Sequence, residues 1–397
     1  MPTIPRRQFI SSAATAGALT LLNPASRGTA QANDKLEIGV IGCGGRGKWI
    51  GKLFEEHGNA KVVAAADYFQ DRVDALGDAH GVDASRRYTG LSCYKRLLES
   101  RLDAVAIESP PYFHPEQALA AVDAGRHVYL AKPAAVDVPG CKTVSDAAAQ
   151  AVEKGLSFLV DFQTRNNEFY REAVRRVHAG AIGTPVSGQC FYHAGRLRPQ
   201  AEPGTPEARL RNWVFDIALS GDIIVEQNIH VIDVAGWLLD AAPTRAFGTG
   251  GRKARVDVGD CWDHFVCTFW YPDDVVIDFS SSQFDVGFSD LCVRLFGTTG
   301  TVETHYGGDV WIRGDEAYEG GNTGSIYKDG AVSNIIDFRA SIENDRPIDN
   351  SAESVRSNLT AILGREAAYA GKEISWNRMM SRSRRIDGKL KGLKDTL

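Results

Sequence analysis

Three glycines carry the first chemical signal. Gly42, Gly44 and Gly47 stand at GxGxxG spacing within Gly42-Cys43-Gly44-Gly45-Arg46-Gly47, directly after an apolar run at 36–41 and before a helical stretch. In such a turn the first glycine makes the bend, the second lets backbone approach a pyrophosphate, and the third lets helix pack on strand. The helix N-terminus beyond it attracts anions through unpaired N–H groups and its dipole. An acidic residue is due about twenty positions on, and Asp67 falls there, at the end of the next apolar run. The six loop residues and Asp67 are therefore expected to hold a dinucleotide. A carboxylate at 67 accepts from ribose hydroxyls and repels a 2′-phosphate, which favours NAD. Arg72, close by, keeps NADP open as the alternative.

A second group of residues follows later strands. Lys132, fixed by Pro133, comes directly after the run 127–130. In a parallel sheet that position opens on the cofactor crevice. An amine there orients a substrate hydroxyl or shuttles its proton. Glu226 and His230 lie four apart in a stretch with helical apolar spacing, 223–239, and so are expected on one face, with Asp233 three beyond. Gln163 and Arg165 fall at the junction of two regions, in reach of a nicotinamide ribose or a substrate. Tyr192 and His193, and the downstream loop with Arg211 and Trp213, offer the mixture of ring and polar groups that suits a pyranose face. Trp213 equally reads as a plug holding that loop against the core.

These residues need a scaffold, and the pattern supplies one. From 35 to about 162, short apolar runs (36–41, 61–66, 104–107, 127–130, 157–160) alternate with helical stretches (48–57, 70–80, 115–123, 139–154). That alternation predicts a parallel sheet covered on both faces, a doubly wound Rossmann arrangement. After about 183, longer strand-like runs follow one another at 185–193, 244–248, 263–270, 275–283, 291–296 and 301–303. They predict a mostly antiparallel sheet. Helical stretches at 332–344 and 351–370 end the pattern. The expected organisation is a leader over 1–32, a Rossmann domain over 33–165 and a substrate and oligomerisation domain over 166–397, with helices 332–370 packing back on the Rossmann side.

Several segments together resemble the Gfo/Idh/MocA oxidoreductases: the glycine loop, Pro110-Pro111 with His114, Ala124-Gly125-Arg126-His127-Val128, Lys132-Pro133, Ala179-Gly180-Ala181-Ile182-Gly183, and the stretch with Glu226, His230 and Asp233. The resemblance runs from about 35 into the 370s. It implies a Rossmann domain followed by an α/β domain with a large open sheet through which copies associate. It implies NAD(P)-dependent chemistry on sugars, cyclitols and related polyols. Lys132 is similar to the family's catalytic lysine, His230 to its acid/base, and Pro110, His114 and Gln163 fall among its cofactor-side residues. Glu226 or Asp233 would orient His230 and raise its pKa. Two departures stand out. Glu226 occupies a position where the family more often has aspartate, and Ala131 one where glutamate commonly precedes Lys-Pro.

Composition agrees with a globular enzyme: 397 residues, 43% hydrophobic and 24% charged, with a formal net charge of −5 that advertises no nucleic-acid surface. Seven cysteines, none in a CxxC pair, point to buried small hydrophobes rather than a zinc site, and no metal is expected. Arg6-Arg7, an apolar Ala/Gly-rich run to Leu22 and Ala30-Gln31-Ala32 resemble a twin-arginine leader, with passage through that translocase and a periplasmic or otherwise exported location. The run is too short to span a bilayer. Export separates a dinucleotide from its soluble pool, so tight binding is expected. The leading reading is hydride transfer between nicotinamide and a hydroxyl-bearing carbon. The alternatives are a redox-neutral glycoside hydrolase, with Tyr192 or His193 as elimination base, and a non-catalytic cofactor-binding sugar sensor.

Overall fold

The computed structural model describes residues 35–284 and 287–396; the leader over 1–32 lies outside them. Six strands build the first sheet: β1 (Leu36–Ile41), β2 (Ala60–Asp67), β3 (Arg87–Thr89), β4 (Ala104–Ile107), β5 (His127–Ala131) and β6 (Phe158–Asp161). Their order is β3-β2-β1-β4-β5-β6 and every pairing is parallel. The strands are short and almost wholly buried because both faces are covered. The chain reverses direction across the sheet between β1 and β4, which opens a crevice at their carboxyl ends. β3 and the Cys93–Glu99 helix are additions to the sequence pattern.

The second sheet has nine strands: β7 (Pro185–Ala194), β8 (Arg245–Gly251), β9 (His264–Trp270), β10 (Val276–Gln283), β11 (Asp290–Gly297), β12 (Gly300–His305), β13 (Asp309–Gly314), β14 (Tyr318–Asn322) and β15 (Ile374–Ser375). Their order is β14-β13-β12-β11-β7-β10-β9-β8-β15. Only the β10–β7 pair is parallel, so the sheet is mixed and mostly antiparallel. β14, with the sequence Tyr-Glu-Gly-Gly-Asn, has no apolar alternation and owes its strand form to pairing with β13.

One face of this sheet is buried through residues such as Cys190, Phe269, Phe279 and Leu295, beneath the Ile229–Leu239 and Ser351–Ala370 helices. Strand alternation turns Phe247 and Val266 to the opposite face, where they are exposed. The Ile326–Glu343 helix returns to the first sheet, where Ala331, Ile335 and Phe338 pack with Leu36, Phe54 and Tyr129.

Candidate functional site

The glycine loop shows a different steric need at each position. Gly42 has φ +93°, and a Cβ there would fall 2.5 Å from the Glu108–Ser109 backbone. A Cβ on Gly47 would lie 1.9 Å from the Gly42 carbonyl oxygen. Gly44 and Gly45 face open space; the nearest atom to a Gly44 Cβ is an Arg72 nitrogen at 3.8 Å. Gly44 caps the Gly45–His57 helix without a side-chain bond, and no acidic residue occupies the first turn. The helix therefore presents bare N–H groups beside an unobstructed surface, which suits an anion.

Asp67 ends β2 and is buried. Its carboxylate accepts from the Cys43 N–H at 2.7 Å and the Phe69 N–H at 2.9 Å. Burial pushes its pKa up, against those two bonds and Arg72. It borders a cleft walled by Phe69, Arg72, Leu91, Pro110, Phe113 and Leu210. The open loop, the bare helix terminus and this cleft together fit the adenosine diphosphate half of NAD.

Arg211 and Trp213, expected with Tyr192 and His193 around a pyranose, lie instead beside Asp71 and Phe69 at this end. Arg211 pairs with Asp71 at 2.6 Å and stacks over Phe69. Trp213 packs against Tyr68, Phe69, Leu210 and Leu219. The tail returns here as well. Leu91 and Ser92 N–H groups donate to the carbonyls of Lys394 and Asp395, both at 3.0 Å, and Arg209 donates to those of Gly388 and Lys389.

At the other end of the crevice, Lys132 Nζ lies 2.9 Å from Glu226 Oε1 and also donates to the Glu226 carbonyl. Both side chains are about one-tenth exposed. Glu226 thus partners Lys132, not His230. The expected continuous helix is broken: one turn, Ile223–Glu226, precedes the helix Ile229–Leu239. The Asn228 N–H bonds to the Ile223 carbonyl five residues back, which changes the phase and removes the four-residue register.

His230 has no partner on Nδ1 and sits against Tyr306 and Phe162, with ring centroids 5.4 and 6.3 Å away. Burial first, then Lys132 and Arg46, hold its pKa well below the usual value, the reverse of the carboxylate-raised imidazole expected. Asp233 does not orient it either. That carboxylate is fully buried, receives Arg165 at 2.7–3.2 Å and Ser357 Oγ at 2.7 Å, and so ties three segments together. Arg165 is committed to this bond and to stacking on Trp237.

His114 bridges the Ser109 and Pro133 carbonyls at 2.7 and 2.8 Å, so it shapes the Lys132 loop from beneath. Tyr192 is buried on the helix-covered face of β7 and donates to Gln227 Oε1 at 3.1 Å. His193, its neighbour on β7, projects from the other face, against Ser280 and Ser282, and so is not brought together with Lys132 and His230. Gln163 is buried with Oε1 unpartnered.

Glu108, Asp161, Tyr306 and Asn228, given no role from sequence, lie at this end. Arg46 reaches across the strand ends to Glu108 (3.1 Å), to Asp161 and to Tyr327 Oη (2.9 Å). Tyr306 and Asn228 keep buried polar atoms without partners. Glu108 directly follows β4 and Asp161 ends β6, so strand-end position was a signal for them. Nothing local marks Tyr306.

Two family models match the chain. Residues 36–160 match the "Oxidoreductase family, NAD-binding Rossmann fold", and residues 170–303 match the "GFO/IDH/MocA C-terminal domain". The scyllo-inositol 2-dehydrogenase (NAD(+)) of Bacillus subtilis is 28% identical over 272 residues, 68% of this chain and 73% of that protein. The structure of apo scyllo-inositol dehydrogenase from Lactobacillus casei superposes with a TM-score of 0.69 at 19% identity, over 87% of this chain and 100% of that one. Aldose-aldose oxidoreductase from Caulobacter crescentus, complexed with glycerol, gives 0.67 at 19% identity, over 86% and 100%. The two solved structures share the fold.

Proposed function

Because the chain is a Gfo/Idh/MocA oxidoreductase with an NAD-binding Rossmann domain, we propose that it moves hydride between NAD and a hydroxyl-bearing carbon of a cyclic polyol or sugar. The observation that carries this reading is the Lys132–Glu226 pair, placed beyond β5 in the same crevice as the open glycine loop. NAD, when bound, supplies the hydride acceptor. Lys132 holds the substrate hydroxyl and relays its proton through Nζ to the Glu226 carboxylate, which also fixes the direction of that amine. His230, kept neutral by burial, offers its free ring nitrogen to a substrate hydroxyl. Tyr306 and Asn228 supply further unsatisfied polar atoms for a hydroxylated ring. Asp67 on the cleft wall favours NAD over NADP.

The location and assembly belong to the same proposal. The twin-arginine leader places the protein outside the cytoplasm, carried there folded with its dinucleotide. Leu210, the Arg211–Asp71 pair and the tail around the adenosine end support slow release. A retained cofactor is reset in place, by oxidising one polyol and reducing another. The exposed Phe247, Val266 and Phe288 support self-association through the second sheet.

The test uses the chain without residues 1–32, purified and probed with inositols and aldoses while the near-ultraviolet absorbance of reduced nicotinamide is followed. Copurified NAD that a free polyol reduces is the expected result. Lys132→Met should slow that reduction by roughly 10²–10⁴-fold while NAD stays bound. Release of an aglycone without net reduction identifies the glycosidase instead. A bound cofactor that no sugar or glycoside alters identifies a sensor.

A further inference from the structure

The carboxyl edge of the first sheet carries a charge arrangement that the hydroxyl chemistry does not use. Strands β4, β5 and β6 run parallel with Ile107 beside Leu130 and Ala131 beside Asp161. Residues 108, 131 and 161 therefore end three adjacent strands in a row. The middle one is an alanine, and a carboxylate stands on each side. A single guanidinium, Arg46 from the glycine loop, contacts both.

The two carboxylates are not equivalent. Asp161 also accepts from Asn334 Nδ2 at 2.6 Å. Glu108 has a fully buried side chain, and neither of its oxygens has a hydrogen-bond partner beyond the ionic contact at 3.1 Å. The other cation nearby, Lys132, is taken by Glu226. With both carboxylates ionised, one guanidinium faces two negative charges, and the less solvated carboxylate is the one that takes a proton.

We propose that Glu108 is a specificity-determining residue that senses the redox state of the nicotinamide, ionised beside the cationic oxidised ring and protonated beside the neutral reduced ring. This rests on the proposed seat of the nicotinamide at this strand edge. No electron moves in the step. The carboxyl O–H bond breaks as the oxidised form binds, the proton leaves to solvent, and it returns when the reduced form takes the place.

The surroundings are consistent with that switch. The groups facing Glu108 are Arg46 of the first helix, Tyr129 of β5, Lys132 after β5 and Asp161 of β6, with Tyr327 of the Ile326–Glu343 helix behind Arg46. Burial raises the Glu108 pKa most, Asp161 adds to it, and Arg46 and Lys132 oppose, leaving it at about 8. At neutral pH the group is therefore mostly protonated before any dinucleotide binds. One added positive charge in a buried setting is enough to ionise it.

The experiment measures affinities of NAD and NADH for the chain without residues 1–32, from about pH 7 to about pH 9, in wild type and Glu108→Gln. The affinity for NAD should rise roughly tenfold over that range, and that for NADH should stay flat. In E108Q the ratio of the two should lose its pH dependence and move toward NADH by roughly tenfold. A second measurement needs no variant: wild type near pH 7 should release close to one proton per NAD bound, read with an indicator dye. A pH-independent ratio in wild type, the wild-type pH dependence persisting in E108Q, or no proton release would each overturn the inference. Failure to bind either dinucleotide at any pH would instead overturn the functional reading beneath it.

Discussion

Replacing Gly44 and Gly47 separately by alanine divides the cofactor role of the loop from its structural role. A methyl on Gly44 meets nothing nearer than 3.8 Å, and the residue's φ of −66° is ordinary for alanine. Folding should therefore lose no more than about 1 kcal/mol, the difference between glycine and alanine at a helix N-cap. The same methyl stands on the open surface that a pyrophosphate must approach. Losing one charge-assisted hydrogen bond there removes about 1.5–3 kcal/mol, so NAD should bind roughly ten- to a hundredfold more weakly.

Gly47→Ala behaves in the opposite way. Its methyl would sit 1.9 Å from the Gly42 carbonyl oxygen, and only backbone movement relieves that contact. A destabilisation of about 3 kcal/mol or more is expected even without cofactor. Thermal unfolding of cofactor-free protein, together with calorimetric NAD titration of each variant, makes the comparison. If G44A binds NAD as wild type does, the pyrophosphate does not rest on this loop and the site assignment fails.

Three further outcomes follow from the same geometry. Asp233→Asn should destabilise by about 3 kcal/mol in urea unfolding, since it leaves Arg165 buried without its carboxylate. A hundredfold fall in kcat at unchanged stability would instead make Asp233 catalytic. Removing residues 383–397 should speed dinucleotide release on the order of tenfold, because Leu91 and Ser92 lose their tail carbonyls; an unchanged stopped-flow release rate would count against a retaining tail. His230 stays neutral down to well below its ordinary pKa, so the kcat profile should show no imidazole limb near pH 6.5. Such a limb, abolished in His230→Asn, would show a solvated imidazole.

Much of the scaffold was legible because its signals are local. Gln70–His80, Ala104–Ile107 and Ser351–Ala370 fall where periodicity puts them. β14 does not, because a short glycine-rich edge strand takes its form from pairing rather than from its own side chains. The 223–239 stretch misled for a related reason. Its apolar spacing is continuous, but a one-residue change in hydrogen bonding at Asn228 breaks the helix and rotates Glu226 away from His230.

The sequence by itself determined the strand–glycine–helix turn, the acidic residue at the end of β2 and a lysine at a strand end. These depend on backbone sterics and on periods of two and 3.6 residues, which a few neighbours impose. Only the tertiary structure decided which charges meet: Glu226 with Lys132, Asp233 with Arg165, and Arg46 between Glu108 and Asp161. Those partners lie tens to more than a hundred residues apart in the chain. Their pairing is set by strand register and by which carboxylates burial leaves without other donors, and neither is written in the residues beside them.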